Sequence, residues 1–204
     1  RITSGEETPF RKNSDEERPF PAPTAFHLDR KNSSPSDPQH FDVVFVGDWR
    51  GWGGPQNSML QEIEVFKAKG YSVAICHMEA LRFMTHRMEL LNERIQKLIN
   101  EGVVAQVTLL DHVHTNFLLL RYPPILQFPP HYRSNINAES AALVVNQAPH
   151  ELDGSDLRYE VHDCMRNARD IFGCDPIWVP QGPLVRDIAS PLIPPQYLSQ
   201  RNLT

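Results

Sequence analysis

Cysteine is scarce in this chain of 204 residues, and the three present, Cys76, Cys164 and Cys174, are odd in number and not spaced as CxxC. That excludes a disulfide framework, gives no zinc motif and fits a reducing compartment. A basic surplus is also lacking. The formal net charge is -5, whereas a dedicated nucleic-acid binder needs a positive face for phosphates. No apolar run approaches the roughly 20 residues of a membrane-spanning helix, and no signal-peptide pattern opens the chain. No nucleic acid and no membrane span are therefore expected, and a neutral or small-molecule partner is the natural one. The chain starts at Arg1 rather than Met, as an excised or processed piece of a longer protein would.

Several catalytic signatures are missing too. The dinucleotide fingerprint GxGxxG fails, because after Gly51 and Gly53 the third glycine position is Gln56; Glu79 alone, at the end of a second strand, does not restore it. Neither GxxxxGK[ST] nor GxSxG occurs, which removes a P-loop and a nucleophile elbow. His112 and His114 stand two apart and would share a strand face, yet no third ligand accompanies them, so no metal site is expected.

What the chain does contain is a sharp change of texture near residue 40. Before it, Pro9, Pro19, Pro21, Pro23, Pro35 and Pro38 lie among Ser, Asp, Glu, Arg and Lys. Such a stretch buries too little apolar surface to offset its ordering entropy, so residues 1–40 are expected as a linker or extended arm. Then Val43 to Val46 form an apolar run of β-branched and aromatic residues that breaks at Gly47 into a loop with Gly51, Gly53 and Gly54. Pro55 suits a first helical turn, where a missing N–H costs nothing. A strand, a glycine turn and a helix N-terminus make a place for an anion or a sugar.

Downstream the texture alternates. Met59, Leu60, Ile63 and Phe66 lie on one helical face with Gly70 as a stop, and Tyr71 to His77 reads as a second strand. Apolar positions from Leu81 to Leu98 at spacings of three and four predict one helix over 79–101, closed by Gly102. Further strands are expected at 103–110, 116–121, 141–145 and 176–179, with a rigid Pro-rich loop after Arg121 and a helix over 157–172 ending at Gly173. Strands alternating with helices give βαβ units, hence an α/β, Rossmann-like, mainly parallel sheet with helices on both faces, in a single domain over 41–186. Residues 187–204 are expected as a tail. Ligands of such sheets lie beyond the carboxyl ends of the strands. That rule selects the loops Asp48 to Ser58, His77 to Glu79, Asp111 to Thr115, Arg121 to Pro124, Asn146 to Glu151 and Pro180 to Gly182.

The unit Gly53-Gly54-Pro55-Gln56-Asn57-Ser58-Met59-Leu60, then Phe66-Lys67-Ala68-Lys69-Gly70-Tyr71-Ser72-Val73, resembles the opening of a GT-B-type glycosyltransferase of the large retaining "family 4" kind. The helix over 157–172 followed by Pro176-Ile177-Trp178-Val179-Pro180-Gln181-Gly182 is similar to that family's last N-domain helix and "Pro-Asn-Gly" crossing point, with Gln181 at the asparagine. The resemblance covers about residues 41–186. It implies the N-terminal, acceptor-binding half of a GT-B architecture, with 187–204 as the start of a crossover. The function implied is transfer of a sugar from a nucleotide-sugar donor to a glycan or other cell-envelope acceptor. The implied partners are a carbohydrate acceptor and a C-terminal donor-binding domain. No cofactor is expected in this chain itself, since the nucleotide-sugar would come with that second domain. Alone the chain would be inactive. The implied location is cytoplasmic, with the inner face of the membrane as the meeting place for an envelope acceptor.

The expected substrate-binding residues are Arg50 and Arg121 as anion clamps, Trp52 with Trp49 for stacking on a sugar face, and Gly53, Gly54, Gln56 and Asn57 at the helix start. Asn146 joins them from the loop after the fifth strand. His112, His114 and His150 are candidates for holding a reacting hydroxyl, and the catalytic base stays open. Plainer readings stand beside these: a tight turn for the glycines, core packing for a tryptophan, a surface ion pair for Arg121. The alternative function is a non-catalytic Rossmann-like module that binds carbohydrate or protein.

Overall fold

The computed structural model describes residues 37–51, 53–80 and 90–203. In chain order they form β1 (Gln39–Gly47), α1 (Gly54–Ala68), β2 (Val73–His77), α2 (Glu93–Asn100), β3 (Ala105–Val107) and β4 (Val113–Arg121). A 3-10 turn at Pro123–Leu126 leads to β5 (Ile136–Val145), α3 (Val161–Phe172), β6 (Ile177–Pro180) and α4 (Pro183–Ala189), followed by two short 3-10 turns.

All six strands are parallel and lie in the order β3-β2-β1-β4-β5-β6. Val46 of β1 is level with Cys76 of β2 and Leu120 of β4, so the carboxyl ends of the central strands finish in one row. Both faces of the sheet are covered. Val44, Val46, Ala74, Leu118, Leu120 and Leu143 face a core completed by Val161, Cys164, Ala168 and Ile171 of α3. Val43, Phe45, Val73 and Ile75 face the other core, completed by Met59 and Ile63 of α1 and Ile95 of α2. Burial on both faces is why these strands read as unbroken apolar runs. Gly70, Gly102 and Gly173 take positive φ after their helices, as their stop positions require.

The structure redraws several expected elements. Helix over 79–101 is found only as α2; Glu79 and Ala80 are non-helical, and residues 81–89 lie outside the described set. Asn92 caps α2, its Oδ1 accepting from the Arg94 N–H at 3.0 Å. Residues 113–115, expected in a turn, belong to β4, and β5 starts at Ile136 rather than Ala141. In those added stretches burial alternates, with Val113 and Thr115 buried and Asn116 exposed. This is the period of a half-exposed strand. The expected arm of residues 1–40 lies outside the description up to residue 36, and Gln39 and His40 already belong to β1.

Residues 187–203 are not a loose tail. α4 runs across the expected boundary at 186, and the segment beyond it folds back over β6. Ala189 and Ile193 are buried, Leu198 bridges to Trp178, and the N–H groups of Ser199 and Leu203 donate to Trp178 O and Pro180 O at 2.9 Å. Trp178 is fully buried beneath this cover.

Candidate functional site at the carboxyl edge of the sheet

The strand order reverses direction between β1 and β4, and in sheets of this kind the crevice above the carboxyl ends of the strands at that point is where ligands sit. From β1 come Asp48, Trp49 and Arg50, and the loop is fixed on every side. Its Trp49 N–H donates to His77 Nδ1 at 3.2 Å, the Trp49 indole N–H to Cys76 O at 2.9 Å, and Trp49 O accepts from Asn92 N–H at 2.8 Å. Trp49 is therefore a core residue with 0% exposure, packed edge-on against Phe45, and not a stacking platform for a sugar. Trp52 lies outside the described residues.

Arg50 is buried, and its guanidinium forks onto Asp48, with Nε at 3.0 Å from Oδ1 and Nη2 at 2.6 Å from Oδ2; Nη1 stands 3.4 Å from Glu79. Burial pushes the Asp48 carboxyl up, but the bonds from Arg50 and from the Ala80 N–H, 2.9 Å away, outweigh it and hold the pKa below the usual value. Arg50 is thus neutralised by its own chain rather than held open as an anion clamp. The same is true of Arg121. Its side chain is 1% exposed and Nη1 sits 2.8 Å from Glu62 Oε1, with Nη2 3.2 Å from Ser58 Oγ. Desolvation lowers the Arg121 pKa and Glu62 opposes that shift. The expected surface pair is a buried one that ties β4 to α1.

The first turn of α1 fits its expected role better. Gly53 is the N-cap without a side-chain cap, and Pro55 lies in the first turn. A Cβ built on Gly54 or on Gly51 meets nothing within 4 Å among the described residues, so the helix start faces away from them. Gln56 turns back and donates through Nε2 to Asp48 O at 3.2 Å, fixing the helix start to the β1 loop, while Asn57 is exposed. Across the crevice Tyr122 takes φ 80 and ψ 99 immediately before Pro123. A non-glycine residue at positive φ, and one preceding proline, is strained, and such strain concentrates where the fold holds a functional geometry. The Tyr122 hydroxyl donates to Gln147 Oε1 at 3.3 Å. Asn146, beside it after β5, has a buried Oδ1 with no partner among the described residues. His150 donates from Nδ1 to Glu151 O at 2.7 Å.

The carboxyl edge therefore gathers Arg50, Gly53, Gly54, Gln56, Asn57, Arg121, Asn146 and His150. It does not gather His112 and His114, which lie at the amino end of β4. There Gln39 N–H donates to His112 O at 2.9 Å and His114 Nε2 stands 3.5 Å from Glu139. Their separation from the other candidates follows from the early start of β4. Among the described residues no group of three or more His, Cys, Asp and Glu is placed to hold a metal ion.

Two features were not singled out in the sequence. His77, at the carboxyl end of β2, is half-buried; desolvation lowers its pKa, with Asp48 and Glu79 opposing and Arg50 assisting. Because Nδ1 accepts the Trp49 N–H, the neutral ring carries its proton on Nε2. The second is a cleft of about 560 Å³ between the ends of β2 and β3 and the loop Phe128 to Tyr132. The carboxyl-end rule reaches His77 to Glu79, but nothing in the sequence reveals that the Pro-rich loop after β4 folds over toward β3. The thiols of Cys76 and Cys164 are buried and pushed up, Cys76 to about 12, so both are inert core groups.

Comparison with known proteins found no matching family model, no matching curated protein and no matching solved structure. The architecture itself defines the class: a doubly wound α/β domain with its topological switch point between β1 and β4.

Proposed function

We propose that this chain is the acceptor-side domain of a glycosyltransferase, binding a glycan at the carboxyl edge of its sheet and completing a nucleotide-sugar transfer with a donor-binding domain. The observation that carries the reading is the uncapped first turn of α1 beside the β1–β4 switch point, with no atom of the described residues within 4 Å of a Cβ at Gly51 or Gly54. There backbone N–H groups and the positive end of the helix face a hydroxyl or phosphate oxygen.

A non-catalytic carbohydrate- or protein-binding module is the second reading, and a specific observation favours it. Arg50 is engaged with Asp48 and Arg121 with Glu62, so these two candidates are committed to holding the fold. Gly54→Val tests the shared premise. With no atom of the described residues within 4 Å of the added Cβ, the variant should melt within about 2 °C of the parent, as expected when a surface change costs under about 0.5 kcal/mol, while glycan or nucleotide-sugar binding is lost in calorimetric titration. Unchanged binding would remove the α1 start from the site. Glycan binding without transfer, when donor and donor domain are supplied, would select the second reading.

A further inference from the structure

The cleft beside β2 and β3 differs in chemistry from the crevice at the switch point. One wall is aromatic and ringed by proline: Phe128 is 66% exposed and Tyr132 47% exposed, and they flank Pro129 and Pro130. The opposite wall is polar, with His77, Glu79, Gln106 and Thr108, over a floor of Val107 and Leu109. His77 presents Nε2–H as a donor because its Nδ1 is occupied by the Trp49 N–H. Glu79 is about half exposed, and Arg50 lies 3.4 Å from its Oε1.

Among the described residues no lysine or arginine lines this cleft, and the charged group that does line it is the Glu79 carboxylate. Arg50, 3.4 Å from Glu79, is already forked onto Asp48, so the three groups together present a net negative charge that repels an anionic ligand. The cleft across the same loop is different: Asp163, Arg166 and Asp170 line it, with Asp163 and Arg166 paired at 2.8 Å. Exposed aromatic faces opposite a set of donors and acceptors match a pyranose ring. Its C–H face is apolar, and its hydroxyls both donate and accept. A volume of about 560 Å³ accommodates two to three such rings at the usual scale of small-molecule sites.

We propose that the cleft formed by Phe128, Tyr132, His77, Glu79, Gln106 and Thr108 binds neutral sugar rings, and that it selects neutral over anionic glycans. This deepens the acceptor reading, on which it rests only for calling the bound glycan the acceptor. His77 and Glu79 connect the cleft to the crevice, since they touch Trp49 and Arg50 of the loop after β1. A glycan seated on Phe128 would thus extend toward the start of α1.

The test is a titration of the full chain with four neutral trisaccharides, maltotriose, cellotriose, mannotriose and chitotriose, and with a hyaluronan tetrasaccharide as the anionic counterpart. Backbone amide shifts locate the binding. The expected result is binding of at least one neutral trisaccharide, with shifts at His77, Gln106, Thr108 and Tyr132, and at least tenfold weaker binding of the anionic glycan. Phe128→Ala and Glu79→Gln should each weaken the neutral ligand about tenfold; the melting temperature should stay unchanged for Phe128→Ala, whose side chain is 66% exposed, and fall by no more than a few degrees for Glu79→Gln, which keeps an oxygen facing Arg50. No binding by any of the four, shifts confined to the α1 start, or equal binding of the anionic glycan overturns the proposal. Neutral-glycan binding in the cleft without sugar transfer in the presence of donor domain and nucleotide-sugar leaves the cleft standing and removes the enzymatic reading. Transfer with the acceptor mapped elsewhere does the reverse.

Discussion

Asp48 and Arg50 form a buried pair, with side chains 9% and 5% exposed. Removing one partner of a buried pair strands the other charge, which costs about 3 kcal/mol. Asp48→Ala should lower stability by that amount in urea titration, whereas a loss under about 1 kcal/mol would mean that water reaches Arg50. His77 sets a pH dependence. Its folded pKa lies below the ordinary value of about 6.5, so the unfolded chain binds the extra proton first. The stability it contributes is complete above roughly pH 6.5 and is lost as the pH falls toward the folded pKa. Gln at position 77 keeps an acceptor for the Trp49 N–H and cannot charge. His77→Gln should therefore flatten the decline in melting temperature between about pH 7 and pH 5.5; an identical decline in both proteins would assign it to other groups. None of this pairing was readable in the sequence. Arg50 and Arg121 were visible as cations in the right loops, but their carboxylates, Asp48 and Glu62, are brought to them only by the turn after β1 and by the rotation of α1 over β4.

At the level of elements, the parts buried on both sides were the legible ones. The cores of β1, β2 and β5 show as unbroken apolar runs, and glycine stops at Gly70, Gly102 and Gly173 mark helix ends. The amino halves of β4 and β5 were hidden because they alternate buried and exposed residues, and His112-Val113-His114-Thr115 reads as polar when alternation is ignored. That one boundary moved two histidines to the wrong end of the sheet. The packing of the last segment is not legible for a different reason: Ile193 and Leu198 are too far apart to form a periodic pattern, and only packing on Trp178 gives them a role. Ending the chain after Arg186 should therefore uncover Trp178 and lower stability by about 3 kcal/mol or more, the scale of losing one large buried side chain. Circular dichroism melting checks this, and an unchanged midpoint would return the segment to the status of a tail.

For the molecule as a whole, the α/β class and the parallel sheet followed from the alternation of strands and helices, and the carboxyl-end rule placed most of the candidate loops together. It could not separate groups that line an opening from groups that hold the walls in place. Gly54 and Gly51 face away from the described residues, whereas Trp49, Arg50 and Arg121 are wall. Glycan binding at the carboxyl edge is the central claim, and the most direct test is a residue-resolved map of ligand-induced amide shifts with the neutral trisaccharides. Shifts clustered in 51–58, 77–80, 106–109 and 128–132, absent from the amino-end residues His112, His114 and Glu139, are the predicted result. Shifts at the amino end, or none at any ligand concentration reached, would contradict it.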